Sequence, residues 1–185
     1  MTVAGVLLAA GTGSRYAGPT HKLLAPLGDS TVFDRALATL VDARLDETVV
    51  VTGAVDLASH LLDGVTEVHN EHFAAGQATS LQAAVAHCLG AGHDALVVGL
   101  GDQPGVRTST WRLLARVDAP IAVATYSGTR GNPVRLHRSV WPLLPTEGDE
   151  GARPVLRERP DLITWVACEG TPDDVDTVED LTRWN

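Results

Sequence analysis

Short apolar runs alternate along this chain with longer stretches of helical period. Residues 3–8 (VAGVLL), 48–51, 95–99 and 121–124 are almost continuously apolar, which predicts strands buried on both faces. Residues 65–69 and 162–167 predict two further strands. Residues 31–43 place Val32, Ala36 and Leu40 on one helical face, with Thr31 as a cap. Residues 55–62, 80–89 and 109–117 also predict helices, and 153–159 and 178–184 predict short ones. This alternation predicts an α/β fold, a Rossmann-like three-layer sandwich with a mostly parallel sheet and helices on both faces. No linker, repeat or low-complexity segment interrupts the pattern, so residues 1–185 read as a single domain.

Composition narrows the class. A chain of 185 residues with 44% hydrophobic content can bury a sizeable core and is not disordered. No apolar stretch approaches the roughly 20 residues of a membrane span, and the opening apolar run follows no basic segment, so a cytoplasmic location is expected. A net charge of −9 argues against a nucleic-acid or anionic-membrane surface. It is compatible with one small anion in a local positive pocket. The fourteen basic residues are thirteen arginines and a single lysine, Lys22, which points to a specific role for a compact ammonium there. Cys88 and Cys168 form no motif and read as reduced core thiols. His69 and His72 have no accompanying ligand cluster that would signal a metal site.

In a sheet of this kind ligands sit beyond the carboxyl ends of the strands, so the loops after the apolar runs hold the candidate chemistry. The first, after residue 8, is built of small residues: Ala9, Ala10, Gly11, Thr12, Gly13 and Ser14. Backbone N–H groups there can approach an anion closely, and Arg15 and Lys22 add positive charge. It matches neither a phosphate loop, since Pro19 stands where the lysine belongs, nor a dinucleotide fingerprint, since Tyr16 stands at the third glycine. The alternative is a tight strand-to-helix turn with two solvated bases. The second loop sets Asp102 between Gly101 and Gln103-Pro104, just past a buried strand. A carboxylate so placed suits Mg²⁺, which takes one or two carboxylates plus phosphate oxygens, although an Asx-turn or helix cap also accounts for it. Near the end, Asp176 or Thr177 with Glu179 and Asp180 has capping-box spacing, and Asp176 is compatible with a second metal ligand. Segments 70–81, 131–134 and 148–153 read as glycine-containing loops, with Thr79 or Ser80 capping the following helix and Arg153 as a surface residue.

Together these segments resemble the molybdenum cofactor cytidylyltransferases of the MobA-like nucleotidyltransferase superfamily. The resemblance rests on Leu8-Ala9-Ala10-Gly11, Arg15 and Lys22-Leu23-Leu24, on Gly101-Asp102-Gln103-Pro104, and on Asn70, Gly76, Ser80 and Leu81. It extends to Gly131-Asn132-Pro133-Val134, the segment from Gly148 to Arg153, and the end from Asp176 to Leu181. It implies Mg²⁺-dependent transfer of CMP from CTP to the phosphate of molybdopterin, with release of pyrophosphate. Arg15, Lys22 and Asp102 are then the catalytic groups, and Asp102 and Asp176 hold the metal. Leu8, Ala9, Ala10, Gly11, Thr12, Gly13, Asn70, Gly76, Thr79, Ser80 and Gly101 line the nucleotide side. Asn132, Pro133 and Arg153 line the acceptor side. A molybdoenzyme or its maturation factor would receive the product. The sequence departs from the family in about two extra residues between Arg15 and Lys22, in Asn132 for a histidine, and in Val178 for a proline. Ala10 favours the cytidylyl branch over the guanylyl one. Three alternatives stand beside this reading: GTP or another phosphorylated acceptor, a nicotinamide-dependent reductase on the same fold, and a non-catalytic molybdenum cofactor carrier.

Overall fold

Strands with no polar face need cover on both sides, and the chain supplies it. The computed structural model describes residues 1–184. In chain order the elements are β1 (Val3–Leu8), β2 (Pro26–Leu27), β3 (Ser30–Thr31), α1 (Val32–Val41), β4 (Glu47–Thr52), β5 (Val65–His69) and α2 (Gln77–Gly90). There follow β6 (Ala95–Leu100), α3 (Thr108–Ala115), β7 (Ile121–Tyr126), β8 (Thr129–His137), α4 (Arg153–Glu158), β9 (Ile163–Ala167) and α5 (Val178–Thr182). Seven strands form one sheet in the order β5-β4-β1-β6-β8-β7-β9, while β2 and β3 make a separate hairpin. Neighbours are parallel except at β8, which runs antiparallel to β6 and β7. The chain moves outward from β1 through β4 to β5, then returns to the other side of β1 as β6. The carboxyl ends of β1 and β6 therefore flank the switch point.

Alternate residues of β1 divide the core. Val3 and Leu7 join Phe33, Leu37 and Leu40 of α1 and Trp111 and Leu114 of α3. Ala4, Val6 and Leu8 join Leu81, Ala84 and Val85 of α2 and Leu156 of α4. This is the expected three-layer sandwich. Gly5 lets α1 lie close, since a Cβ there would stand 2.3 Å from Cδ1 of Leu40. Thr31 caps α1 as anticipated: its hydroxyl accepts from the Asp34 N–H at 3.1 Å, and the Asp34 carboxylate accepts from the Thr31 N–H at 3.0 Å.

Three local expectations fail. Residues 55–62 form no α-helix, only a short 3-10 turn at Ala58–His60. The Asp56 carboxylate accepts from the Ala58 N–H at 2.9 Å, a local bond that competes with helix, and Leu57 is buried as a single anchor. Residues 131–134 are part of β8 rather than a loop. Gly131 and Pro133 read as turn residues, and the fully buried Arg135 interrupts the apolar pattern; Val134 and Leu136 nonetheless face the core and pair with β6. Thr79 and Ser80 do not cap α2, which begins earlier, at Gln77, with Gly76 in the cap position at φ +108°. The carbonyl of Gly148 takes the Ala78 N–H there, at 2.9 Å.

Cys88 is buried and Cys168 half-buried, both free, and burial pushes the Cys88 thiol up to about 12. No helix among the described residues is long and apolar enough to cross a membrane.

Candidate active site

The switch point opens because the two strands end close together and then diverge. The Gly101 N–H donates to the Leu8 carbonyl at 2.9 Å, and the Ala9 N–H donates to Val51 at 2.8 Å. Beyond Ala10 the chain leaves the sheet, turns at Gly13, and returns at the short 3-10 turn Lys22–Leu24. Gly13 sits at φ +63°, and a Cβ on it would stand 3.0 Å from Nε2 of His21. His21 braces this loop. Its Nδ1 accepts from the Leu23 N–H at 3.3 Å, so Nε2 bears the hydrogen and donates to the Gly11 carbonyl at 3.0 Å. Burial, helped by neighbouring Lys22, lowers the His21 pKa and keeps the ring neutral.

The loop forms one wall of a cleft of about 310 Å³. Phe73, Gly76, Gln77 and Ser80 form the opposite wall, and Leu8 and Leu100 lie at the strand ends between them. Lys22, Asp102 and Asp176 meet at one end, and Arg15 and Asp149 also reach the cleft.

Charge at this end is tightly organised. The Lys22 ammonium donates to Oδ2 of Asp102 at 2.5 Å and to Oδ1 of Asp176 at 2.9 Å. Burial alone would lower its pKa, but Asp102 and then Asp176 outweigh that and raise it. Arg15 reaches Oδ2 of Asp176 at 3.0 Å from a side chain that is 77% exposed. Between Arg15 and Lys22, Ala17, Pro19 and Thr20 are exposed, and the lysine is seated in the cleft. Asp176 arrives through the C-terminal segment. Val175 is buried and donates its N–H to the Asp102 carbonyl at 2.9 Å. The Gln103 amide ties down the same segment, donating to the Pro172 carbonyl at 2.7 Å and to Asp174 at 2.6 Å. Burial, then the charge of Asp102, pushes the Asp174 carboxyl up. Thr177 and Asp180 form the capping box of α5, which fixes the chain directly after Asp176.

Of the sequence candidates, Leu8 to Gly13, Arg15, Lys22, Gly76, Ser80, Asp102 and Asp176 all line this cleft. Asn70 and Thr79 stand behind the wall. The buried Asn70 amide donates to Thr79 and Ser80 hydroxyls at 2.9 and 3.0 Å, and its oxygen accepts from the His72 N–H. Gly101 lies beneath, where a Cβ would meet that of Ala9 at 3.2 Å. Asn132 and Arg153 line a smaller pocket of about 60 Å³, which shares Leu8, Gln77 and Leu100 with the main cleft. Pro133 is buried below them. Sequence reasoning missed His21, Gln77, Phe73 and Asp149. Asp149 lay within the glycine-containing segment already noted, whereas a lone histidine such as His21 gives no sequence signal.

Asp102 and Asp176 fit a divalent cation on one observation in particular. Oδ1 of Asp102 is buried without a hydrogen-bond partner, a state that costs about 1–3 kcal/mol unless something answers it. No group of three or more metal-binding side chains occurs among the described residues, so a metal here would complete its shell with water or substrate oxygens.

A glycine-rich loop at a switch point, facing two carboxylates and a buried lysine, defines a nucleotidyltransferase-type site on a Rossmann-like fold. The comparisons agree: residues 5–162 match the MobA-like NTP transferase domain, and the chain belongs to that family. Membership implies a nucleotide substrate and the use of a divalent metal. Among curated relatives, nicotine blue oxidoreductase of Paenarthrobacter nicotinovorans is 34% identical over 98% of this chain and 95% of its own length. The purine catabolism protein PucB of Bacillus subtilis is 26% identical over 95% of this chain and 92% of its own. Among solved structures, Rv0371c of Mycobacterium tuberculosis in complex with manganese superposes with a TM-score of 0.82 at 30% identity, covering 100% of this chain and 98% of that one.

Proposed function

We propose that residues 1–185 act as a single nucleotidyltransferase domain that moves CMP from CTP to the terminal phosphate of molybdopterin. In this reaction an acceptor phosphate oxygen bonds to the α-phosphorus while the α–β bridging P–O bond breaks. Pyrophosphate leaves with that bond's electron pair. Transfer of this kind depends on positioning and charge neutralisation rather than on a protein nucleophile. The observation that supports it best is Lys22 held between Asp102 and Asp176 where the small-residue loop faces the cleft.

In this reading the loop from Ala9 to Gly13 admits the nucleotide, and its backbone N–H groups meet phosphate oxygens. Lys22 and Arg15 neutralise charge developing on the leaving pyrophosphate. Asp102 and Asp176 would hold Mg²⁺, which would polarise the phosphoryl oxygens. The pocket at Asn132 and Arg153 takes the acceptor beside the nucleotide. Purified protein is offered CTP, GTP or ATP with Mg²⁺ and molybdopterin, and pyrophosphate is measured. CTP gives the highest rate; turnover with GTP alone moves the reading to the guanylyl reaction, and none with any nucleotide overturns it.

A second reading is favoured by the relative named as an oxidoreductase. There the same loop and bases hold a nicotinamide dinucleotide's pyrophosphate. NADPH binding tighter than that of CTP with Mg²⁺, measured by calorimetry, selects it.

A further inference from the structure

The Lys22 ammonium stands where a bridging metal would have to go. It contacts one oxygen of each carboxylate, at 2.5 and 2.9 Å, and only 12% of its side chain is exposed. A cation shared by Asp102 and Asp176 needs the same space. We infer that Lys22 is an internal cation that excludes a free divalent metal from the Asp102–Asp176 pair and yields its place only to a metal arriving with a polyphosphate. The inference rests on the nucleotidyl-transfer reading for its biological use, and on the ion-pair geometry for its physics.

Within the contacting group, the carboxylates Asp102 and Asp176 are met by two cations, Lys22 and Arg15. A free divalent ion entering this pair must displace the ammonium, which then loses both carboxylate contacts while still largely buried. Stranding a buried charge is far costlier than rearranging a paired one. A polyphosphate changes the outcome, because its oxygens offer the displaced ammonium a new set of acceptors. Metal and polyphosphate should then bind cooperatively, each raising the affinity for the other by the same factor. The unpaired Oδ1 of Asp102 shows why the exchange can run forward. One ammonium leaves that oxygen unanswered, and a multiply coordinated ion can reach it. Arg15 cannot play the same part, since it touches only Asp176 and is largely solvated.

The test uses Mn²⁺ alone, with free ion counted by electron paramagnetic resonance and no nucleotide present. Lys22→Met should bind Mn²⁺ at least about tenfold more tightly than wild type, because a competing charge within about 3 Å has been removed. Arg15→Met should change affinity by less than about threefold. Equal affinities for wild type and Lys22→Met overturn the inference. Should Lys22→Met fail to fold, wild-type protein supplies an independent measurement. Lys22 is the only lysine, so a lysine-specific ¹⁵N label gives one ammonium resonance. Millimolar Mg²⁺ should leave that resonance in place, and Mg²⁺ with inorganic tripolyphosphate should shift it. A shift with Mg²⁺ alone at that concentration overturns the inference. Tripolyphosphate carries no base, so these outcomes do not depend on CTP turnover. Tight Mn²⁺ binding by Lys22→Met, together with a wild-type protein that releases no pyrophosphate from any nucleotide, keeps the gate and removes the transferase reading.

Discussion

The two ends of the sheet each hold a carboxylate cluster, and they are built to opposite specifications. At the amino ends of the strands, Glu47 is answered on both oxygens. Oε1 takes His87 at 2.8 Å and the Thr66 hydroxyl at 2.8 Å, and Oε2 takes His93 at 2.7 Å. The one unpaired atom there, Nδ1 of His93, belongs to a ring already fixed through its other nitrogen. At the carboxyl ends, two buried atoms are unpaired, Oε1 of Gln103 and Oδ1 of Asp102; the second is on a carboxylate, and the cluster borders the cleft. A cluster with its carboxylate satisfied locks elements together; one left partly unsatisfied beside a cleft keeps capacity for a ligand.

The sharpest way to break this comparison is to exchange the consequences. Asp102→Asn should lower pyrophosphate release by a hundredfold or more, on the order of losing one preorganised charge contact in phosphoryl chemistry, in a protein that still folds because Lys22 keeps Asp176. Glu47→Ala should do the reverse. It leaves His93 without its partner and should cost about 1–3 kcal/mol of stability in denaturant titrations, with activity changed less than about twofold. Loss of activity in Glu47→Ala at a temperature where the protein is fully folded would mean the two ends are coupled.

A smaller effect separates the clusters by pH. Burial alone would raise the Glu47 carboxyl, but hydrogen bonds from His93 and His87 outweigh it and hold it below its ordinary value of 4.5. A carboxylate depressed in the folded state stabilises fully above its unfolded value, and that contribution fades as pH falls through the folded one. Stability should therefore decline below about pH 4.5, and the decline should be shallower in Glu47→Gln. Chemical denaturation from pH 6 to pH 3 reads both slopes. Parallel slopes for the two proteins would show that this cluster does not report on acid stability.

How much of this was legible in the sequence follows the same division. The central strand was readable because parallel strands covered on both faces are continuously apolar, and residues 3–8 match β1 to the residue; residues 65–69 also match β5, an edge strand of half-buried and exposed residues. The cap of α1 was readable because it is local. β8 was not: it forms a tight hairpin with β7, but its pairing with β6 is long-range, and its middle, GNPVR, carries a proline and a buried arginine that donates to the Ala119 carbonyl. The candidate site shows the same pattern. Arg15, Lys22 and Asp102 stand out from the loop chemistry around them. That Asp176 joins them depends on Val175 docking on Asp102, a contact between residues 73 positions apart that no local window contains.

The smallest expected effect sharpens the comparison within the site itself. Arg15 and Lys22 both contact Asp176, but one is 77% exposed and the other 12%. An exposed ion pair contributes about 0–1 kcal/mol and is weakened by salt, whereas a buried, doubly bonded one is screened much less. Arg15→Ala should leave the melting temperature unchanged within about 1 °C, since surface pairs of this kind scarcely add to stability. Its effect should appear in the nucleotide KM, which rises about threefold to tenfold at low ionic strength and approaches wild type near 0.5 M salt, as an exposed guanidinium acts through a screenable field. Salt should scarcely change the defect of Lys22→Met. If the Arg15→Ala defect persists undiminished at high salt, Arg15 makes a dry, close contact with the nucleotide, and the working site then has two enclosed cations rather than Lys22 alone.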